Sequence, residues 1–500
     1  MKPTSRRHFL KTSLAAGLGL ALPRRAIGAA PARAIGANDT IRLAVIGLGG
    51  TEIVGGVGGR GHQLIAALQQ VPGVRIAALC DVDQTFLRRE ARPLEDRGHP
   101  VVTHTDLRRV LDDKAIDAVV IATPNHWHGL ATVWACQAGK DVYVEKPFSH
   151  DLWEGRQMVA AARKHGRMVQ TGTQNRSSTL LRRAFDELRS GQLGRIRYAH
   201  AIVYRGRAGI GRVDAPTPLP SAVDYDLWCG PAPKTPLRRR QLHYEWHWFW
   251  DTGNGEIGNN GVHMMDVCRW ALGQNQPPPR AMSIGARFAV NDAGETPNTQ
   301  VALLDYQPAP LICEIRNVRT GTGANAMGTY RNRGRGVVVD CEGGYFAGDA
   351  SGGALFDPQG RKIKEIASDG KDRLEVSHLS NFVAAMRSRR AGDLACEALE
   401  GHHSAAGCHM ANISHRLGRP AAPEAIRERI QSQQELTDAF DRCREYLREN
   451  GVDLGATPAV LGPWVTFDAK QERFVHDFAD AANALARREY RHPFVMPTSV

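Results

Sequence analysis

The chain has 500 residues, of which 42% are hydrophobic and 23% charged, with 51 glycines and 27 prolines. These proportions belong to a folded globular protein and exclude disordered, collagen-like and fibrous classes. The net charge is +12, but residues 1–37 hold seven of the cations and no acid, and subtracting them leaves +5 spread among 52 carboxylates. A phosphate-tracking surface is not expected from that balance, so no nucleic-acid partner is expected. No apolar run reaches the roughly 18 residues that cross a bilayer, so the chain is not expected to be membrane-embedded. At about 150 residues per domain, two to four units are expected. The nine cysteines include no Cys-x-x-Cys pair and read as small buried hydrophobes.

Ser5-Arg6-Arg7-His8-Phe9-Leu10-Lys11 precedes a short apolar segment, Leu14 to Leu22, and then small residues around Ala29-Ala30 and Ala32-Arg33-Ala34. Charged, apolar and small-residue zones in that order make an export signal over residues 1–37. The paired arginines followed by Phe-Leu-Lys resemble a twin-arginine signal, which implies the twin-arginine export machinery as a partner and a periplasmic or otherwise exported destination. Substrates of that route cross the membrane folded.

From Ile41 onward, short apolar runs alternate with amphipathic stretches. Strands are expected at Ile41 to Ile46, Val74 to Leu79, Ala118 to Ile121, Val142 to Val144 and Met168 to Thr171, with helices near 61–70, 105–111, 126–138 and 151–165. That alternation implies βαβ units and a parallel, doubly wound sheet. The first strand runs into Gly47-Leu48-Gly49-Gly50, where glycines permit the tight turn and close backbone approach that a pyrophosphate needs. The strict G-x-G-x-x-G spacing fails here because position 52 is Glu52, while a full match stands at Gly56-x-Gly58-x-x-Gly61. A turn at Gly47 and Gly49, an insertion of about nine residues and a helix entered through Gly59-Arg60-Gly61 reconcile the two. Asp81 ends the second strand, where an acid accepts from ribose hydroxyls and disfavours a 2′-phosphate. NAD is therefore the expected cofactor, with Arg88 and Arg89 on the next helix leaving NADP open.

Thr123-Pro124-Asn125-His126-Trp127-His128 follows the fourth strand and Glu145-Lys146-Pro147 the fifth, both at carboxyl ends where an open α/β sheet takes its ligands. With Gln174-Asn175 and Gly261-Val262-His263-Met264-Met265-Asp266, these segments resemble the glucose–fructose oxidoreductase / inositol dehydrogenase (Gfo/Idh/MocA) family over about residues 41–420. The resemblance implies strand order 3-2-1-4-5-6 and Lys146 with His263 as the catalytic pair. It also implies Thr123, Pro124, Asn125 and His128 beside the nicotinamide and Glu145 positioning Lys146 and the cofactor. Arg60 and Gln174 complete the expected cofactor set. Chemistry asks for such groups, since dehydrogenating a secondary alcohol needs a proton acceptor and a cation near the developing alkoxide.

One departure from the family stands in the sequence. Its pattern Asp-x-Gly-x-His reads Asn259-Asn260-Gly261-Val262-His263 here, and Asn259 cannot accept a proton or balance an imidazolium by charge. Either His263 works without that carboxylate or another acid supplies it, with Asp266 and Glu256 as candidates. His126 and His128, and His402, His403 and His409 near Cys408, lack further ligands at a metal-binding spacing, so no metal is expected.

Residues 194–205, 281–290, 300–306 and 311–318 alternate like half-buried strands. A C-terminal α+β domain with a large, mainly antiparallel open sheet is expected over 176–420, after a Rossmann domain at 41–175. Residues 421–500 read as a helical extension, with one long charged helix from Glu424 to Asn450. His243-Tyr244-Glu245-Trp246-His247-Trp248-Phe249-Trp250-Asp251 packs five aromatics into seven residues, suited either to a sugar ring or to the core between domains. Asp224-Tyr225-Asp226-Leu227-Trp228 offers another wall. Trp127, Asn175, Tyr204, Trp246, Trp248, Asn259 and His263 are the expected substrate contacts. The chain reads as an exported NAD(P)-dependent oxidoreductase acting on a sugar, polyol or glycoside hydroxyl with internally recycled cofactor, as a homo-oligomer. The alternatives are an NAD-dependent glycosidase or epimerase with transient oxidation, and a non-catalytic sugar-binding protein.

Overall fold

The computed structural model describes residues 36, 39–49, 59–319, 327–368, 370 and 373–500. The expected signal segment apart from Gly36, and Gly50, Gly56 and Gly58, lie outside the described residues, so the glycine insertion is described only at its two ends.

The first domain is a six-stranded parallel sheet in the order β3-β2-β1-β4-β5-β6. Its strands are β1 (Ile41–Ile46), β2 (Val74–Cys80), β3 (Val102–His104), β4 (Ala118–Ile121), β5 (Asp141–Val144) and β6 (Val169–Thr171). Between them run α1 (Arg60–Leu68), α2 (Gln84–Glu95), α3 (Leu107–Asp112), α4 (Asn125–Gln137) and α5 (Leu152–Lys164). Successive strand residues point to opposite faces. Ile41, Leu43 and Val45 pack with α1 and α2, whereas Ala44 and Ile46 pack with α3, α4 and α5. Helices on both faces explain why β4 and β5 are buried throughout. Strand β3 is an exposed Val-Thr-His edge, too short and polar to show in the hydrophobic pattern.

The second domain begins with α6 (Thr179–Arg189) and β7 (Ile196–Tyr204). Short helices α7 (Tyr225–Cys229) and α8 (Leu242–Glu245) lead to α9 (Val262–Ala271). Strands β8 (Arg280–Ala286), β9 (Thr299–Leu304), β10 (Leu311–Arg316), β11 (Arg335–Cys341), β12 (Gly344–Asp349), β13 (Gly352–Phe356) and β14 (Lys362–Ile366) follow. They build a mainly antiparallel sheet in which β7 and β10 are the parallel pair. Helix α9 packs Val262, Met265 and Cys268 onto the inner face beside Ala199, Ala201 and Val203.

The chain does not divide where its motifs do. Helix α10 (Leu374–Ser388), within the stretch expected to be purely second domain, returns to the first and buries Leu379, Phe382, Val383 and Met386 against β1 and α1. Its i, i+3, i+4, i+7 spacing marks a helix in the sequence without saying which core receives it. Helix α11 (Ala398–Leu417) runs buried against both α5 and β8, with His402, His403 and His409 enclosed in it.

The last eighty residues are not only helical. After β15 (Arg419–Ala421), the expected single helix is two, α12 (Pro423–Ile430) and α13 (Gln434–Glu449). They are separated by a turn in which Gln433 N–H and Thr437 Oγ1 both donate to the Ile430 carbonyl. Helix α13 lays Leu436, Phe440, Tyr446 and Leu447 on the outer face of β8, β9 and β10. Strands β16 (Ala459–Leu461) and β17 (Val465–Asp468) pair with β8, β18 (Arg473–Val475) pairs with β17, and α14 (Ala479–Leu485) follows. Phe494 and Met496 then enter the first-domain core. No helix among the described residues is long and apolar enough to cross a membrane.

Candidate active site

A cleft of about 400 Å³ lies at the carboxyl ends of β1, β2, β4 and β5 and is closed on its far side by the second domain. Gly47, at φ 85°, makes the exit from β1. A Cβ there would stand 2.7 Å from the backbone of Ala122 and Thr123, so only glycine lets the two strand ends pass. Gly61 supports the turn from beneath, since its Cβ would meet the Gly47 carbonyl at 2.0 Å, and it does not line the cleft. The N-terminus of α1 has no side-chain cap among the described residues; Gly59 and Arg60 line the cleft, while His62 N–H donates to the Leu48 carbonyl (3.2 Å).

Asp81 lines the cleft, but its carboxylate is not free. It accepts from the N–H groups of Leu48 (2.6 Å), Gly49 (3.3 Å) and Asp83 (2.9 Å), tying the glycine turn to the end of β2. Burial raises its pKa against the opposing pull of those amides and of His243. Arg89 donates to the Gly49 carbonyl at 2.9 Å and holds the same turn from the other side.

Arg60, first residue of α1, bridges three elements. Its Nε donates to Glu145 (2.6 Å) at the end of β5, and its Nη1 to Glu375 (3.0 Å) on α10, which also accepts from Gln174 (3.1 Å). Glu375 is a cleft residue that the sequence did not single out.

Lys146 meets the second domain through Asn259. Its Nζ donates to the Asn259 carbonyl (2.8 Å) and to Asn259 Oδ1 (3.3 Å), which sit on a π-helical turn, Ile257–Gly261, leading into α9. Desolvation in the cleft holds the Lys146 ammonium below the usual lysine range. His263, at the start of α9, lines the same end of the cleft. Burial and the nearby Lys146 charge push it well below the usual histidine range, so its imidazole is neutral. Of the two acids weighed as stand-ins for the missing aspartate, Glu256 is at the site and Asp266 is not. Asp266 is buried against Arg176 (2.8 Å) and Ser404 (2.6 Å). Glu256 accepts from Asn260 (2.6 Å), Asn259 (3.4 Å) and Arg207 (2.9 Å), and His263 Nδ1 has no partner among the described residues.

Thr123, Pro124, Asn125 and Trp127 line the cleft. Trp127 donates its indole N–H to the Leu227 carbonyl (3.0 Å), and a Cβ on Gly230 would collide with the ring at 2.2 Å. Five expected contacts stand elsewhere. Besides Gly61, His128 is buried with its ring nitrogens facing the carbonyls of Pro147 (2.7 Å) and Thr123 (3.0 Å), joining the two motif loops instead of facing a ligand. Tyr204 points to the outer face of the sheet and donates to Glu314 (2.7 Å), because β7 alternates and Val203 takes the inner position. Asn175 is outside the cleft, and Trp248 sits behind it under the Arg207 guanidinium.

The aromatic segment divides by position. His243, Tyr244, Trp246 and His247 face the cleft with Leu227 and Trp228, whereas Trp248, Phe249 and Trp250 do not. His247 was missed within a segment read for its rings. Its Nδ1 lies 2.6 Å from the Tyr244 carbonyl, its ring stacks on Trp246 at 3.6 Å, and burial takes its pKa down to about 3. A second neutral imidazole therefore faces the cleft, with its Nδ1 proton fixed on a carbonyl.

A doubly wound sheet with a glycine-turn cleft at its carboxyl edge, closed by a large mixed sheet, defines a two-domain fold of the dinucleotide-binding class. Residues 41–173 match the model of the Gfo/Idh/MocA oxidoreductase family's NAD-binding Rossmann fold, and residues 200–308 that of its C-terminal alpha/beta domain. Residues 3–23 match the twin-arginine translocation pathway signal sequence, which marks the chain for that export route.

A glycosyl hydrolase family 109 protein of Saccharopolyspora erythraea is 34% identical over 184 residues, 33% of this chain and 38% of that protein. An alpha-N-acetylgalactosaminidase of Shewanella oneidensis is 31% identical over 170 residues, 32% of this chain and 37% of that protein. The match thus spans under two fifths of the length of these relatives. Among solved structures, the WlbA dehydrogenase of Bordetella pertussis, in complex with NADH and UDP-GlcNAcA, superposes with a TM-score of 0.51 at 19% identity, covering 73% of this chain and 92% of that one. The aldose-aldose oxidoreductase of Caulobacter crescentus gives 0.52 at 18% identity, covering 73% and 94%. At such identities these two structures speak to the fold alone.

Proposed function

We propose that the chain is an exported NAD(H)-dependent enzyme that acts on a hydroxyl of a sugar, polyol or glycoside and keeps its cofactor through the reaction cycle. The observation that carries this reading is the meeting of Lys146, Asn259 and His263 at one end of the cleft whose other end is the Gly47–Gly49 turn. The residues there fit a dinucleotide: among the described residues, a helix N-terminus without a side-chain cap and a Gly49 whose Cβ would have no neighbour nearer than 4.0 Å, and a carboxylate following β2. Bound nicotinamide would supply hydride exchange with a carbon that bears a hydroxyl. His263, neutral and without a hydrogen-bond partner at Nδ1, accepts the hydroxyl proton, and the Lys146 ammonium stabilises the alkoxide that develops. Asn259 holds Lys146 in place without adding charge.

Export favours retention of the cofactor, because no free nicotinamide pool exists outside the cytoplasm. A closed cycle follows, in which one sugar is oxidised while another is reduced, or one substrate is oxidised only transiently. His247 favours the transient form. Oxidising a ring carbon acidifies the neighbouring C–H, and a second neutral imidazole in the same cleft is placed to take that proton. The names of the glycosyl hydrolase relatives agree with that form.

Protein purified from the exported fraction should release stoichiometric NAD(H) on denaturation, identified by absorbance and mass. An empty cleft that also refuses added nucleotide would overturn the reading in favour of a sugar-binding protein. Lys146→Ala should lower turnover by at least about 10³-fold while the released nucleotide stays stoichiometric. Unchanged turnover would remove Lys146 from the chemistry.

A further inference from the structure

Three arginines stand at or beside the second-domain side of the cleft, Arg205 in its lining and Arg335 and Arg319 next to it, with no acid paired to them among the described residues. Arg205 follows β7 directly and lines the cleft with Lys146 and His263. Arg335 opens β11 opposite Val203, on the inner face shared with Val203, Val337 and Val339, one diagonal step from Arg205. The stem of Arg319 crosses Gly206, where a Cβ would lie 2.9 Å from its Cδ. All three are exposed. None takes part in a side-chain hydrogen bond or ion pair among the described residues.

Elsewhere on the same sheet, arginines are matched to acids: Arg195 to Glu342, Arg280 to Asp305, and Arg287 to Asp292. The carboxylates nearest Lys146 are committed, Glu145 to Arg60 and Glu256 to Arg207, Asn259 and Asn260. Lys146 adds a further cation. The field of this group reaches the reacting end, since the Arg335 charge helps depress His263. A site built only for neutral hydroxyls gains nothing from such an imbalance, which repels itself until an anion arrives.

Resting on the reading above, we propose that the sugar taken by this cleft carries a fixed oxyanion, a carboxylate or a sulfate ester, received by Arg205 and Arg335 with Arg319 behind them. Guanidinium forks suit both groups and bind them by paired N–H···O bonds. The charged group lies toward β7 and β11, and the reacting hydroxyl lies toward Lys146 and His263.

The test is calorimetric titration of the purified, cofactor-loaded protein with matched sugars: galactose, galacturonate and galactose 6-sulfate, and the glucose equivalents. At least one anionic member should bind about tenfold or more tighter than its neutral counterpart, and less tightly as salt rises. Which anion is preferred distinguishes the carboxylate from the ester. Arg205→Gln and Arg335→Gln, both at exposed positions, should each cut that preference about fivefold and leave nucleotide content unchanged. Neutral sugars binding as well as anionic ones, no anionic sugar binding, or a preference indifferent to both variants would overturn the proposal. Turnover of neutral sugars as efficient as that of anionic ones, with nucleotide bound, would overturn it while leaving the enzyme reading intact; absence of nucleotide would remove the enzyme reading itself.

Discussion

Lys146 and Asn259 meet across the domain boundary, 113 residues apart, and the pair shows what one changed atom does to a site. An aspartate at 259 would set a negative charge beside the ammonium, whereas the amide offers only a dipole. Burial lowers the pKa of Lys146, and Asn259 does nothing by charge to restore it. Asn259→Asp should therefore raise the Lys146 pKa and move the corresponding limb of the pH–rate profile upward by about one unit or more. An unmoved profile would mean that Lys146 does not titrate in the working range. The substitution itself was legible in the sequence, because Asn259 stands at a fixed distance from His263. Its surroundings were not. Glu256 could be named only alongside Asp266, and nothing local tells which of two acids ten residues apart faces a lysine from another domain. Tyr204 failed differently: a one-residue parity error in β7 exchanges the inner face for the outer.

Helix α5 shows how an element's ordinary beginning becomes unusual through a distant partner. Asp151 caps it by accepting from Glu154 N–H (2.8 Å), as the sequence Asp-Leu-Trp-Glu suggests. Glu154 would face water in an isolated helix, but here it is fully buried and accepts from His150 N–H (3.1 Å) and from Tyr490 Oη (3.0 Å), 336 residues on. Arg488 joins the cluster through its N–H to Asp151 (3.0 Å) and its guanidinium to His150 (3.4 Å). Burial, and then the neighbouring Asp151 charge, raise the pKa of Glu154 above the carboxylate range. A carboxyl with a raised folded-state pKa contributes stability that is full at pH below its unfolded value and is lost as pH rises through the folded value. The melting temperature should thus fall between about pH 4.5 and pH 8, and Glu154→Gln should remove about 2–4 °C of that fall. Parallel profiles for both proteins would show that Glu154 stays ionised in the fold. The same scale explains why α3, α4 and α5 were legible but the break between α12 and α13 was not. The former are bounded by Asp and Pro signals, whereas Gln431-Ser432-Gln433 carries no strong stop.

At the scale of the whole molecule, the export signal and the central strands of the two sheets were legible because each is written in a short run of contiguous residues, whereas β3 and β11 to β18 were not. Replacing Arg6 and Arg7 by lysine should leave the protein folded inside the cell and absent from the exported fraction, as immunoblots of both fractions would reveal. Export of the doubly substituted chain at the normal level would assign the N-terminus to another route. What the sequence did not show is how far the chain returns on itself. Helix α10 completes the core of a domain that begins more than three hundred residues earlier.

The tail goes further: Phe494 packs edge-on against Trp127, and Arg491 holds Asp226 and the Gly230 carbonyl, so residues near 490 brace the wall of a cleft whose floor is laid near residue 47. A ribosome making this chain must therefore release residue 494 before the pocket has its finished shape. A nucleotide that needs the finished cleft would be captured after synthesis and before translocation. That order of events requires a transporter that accepts finished proteins.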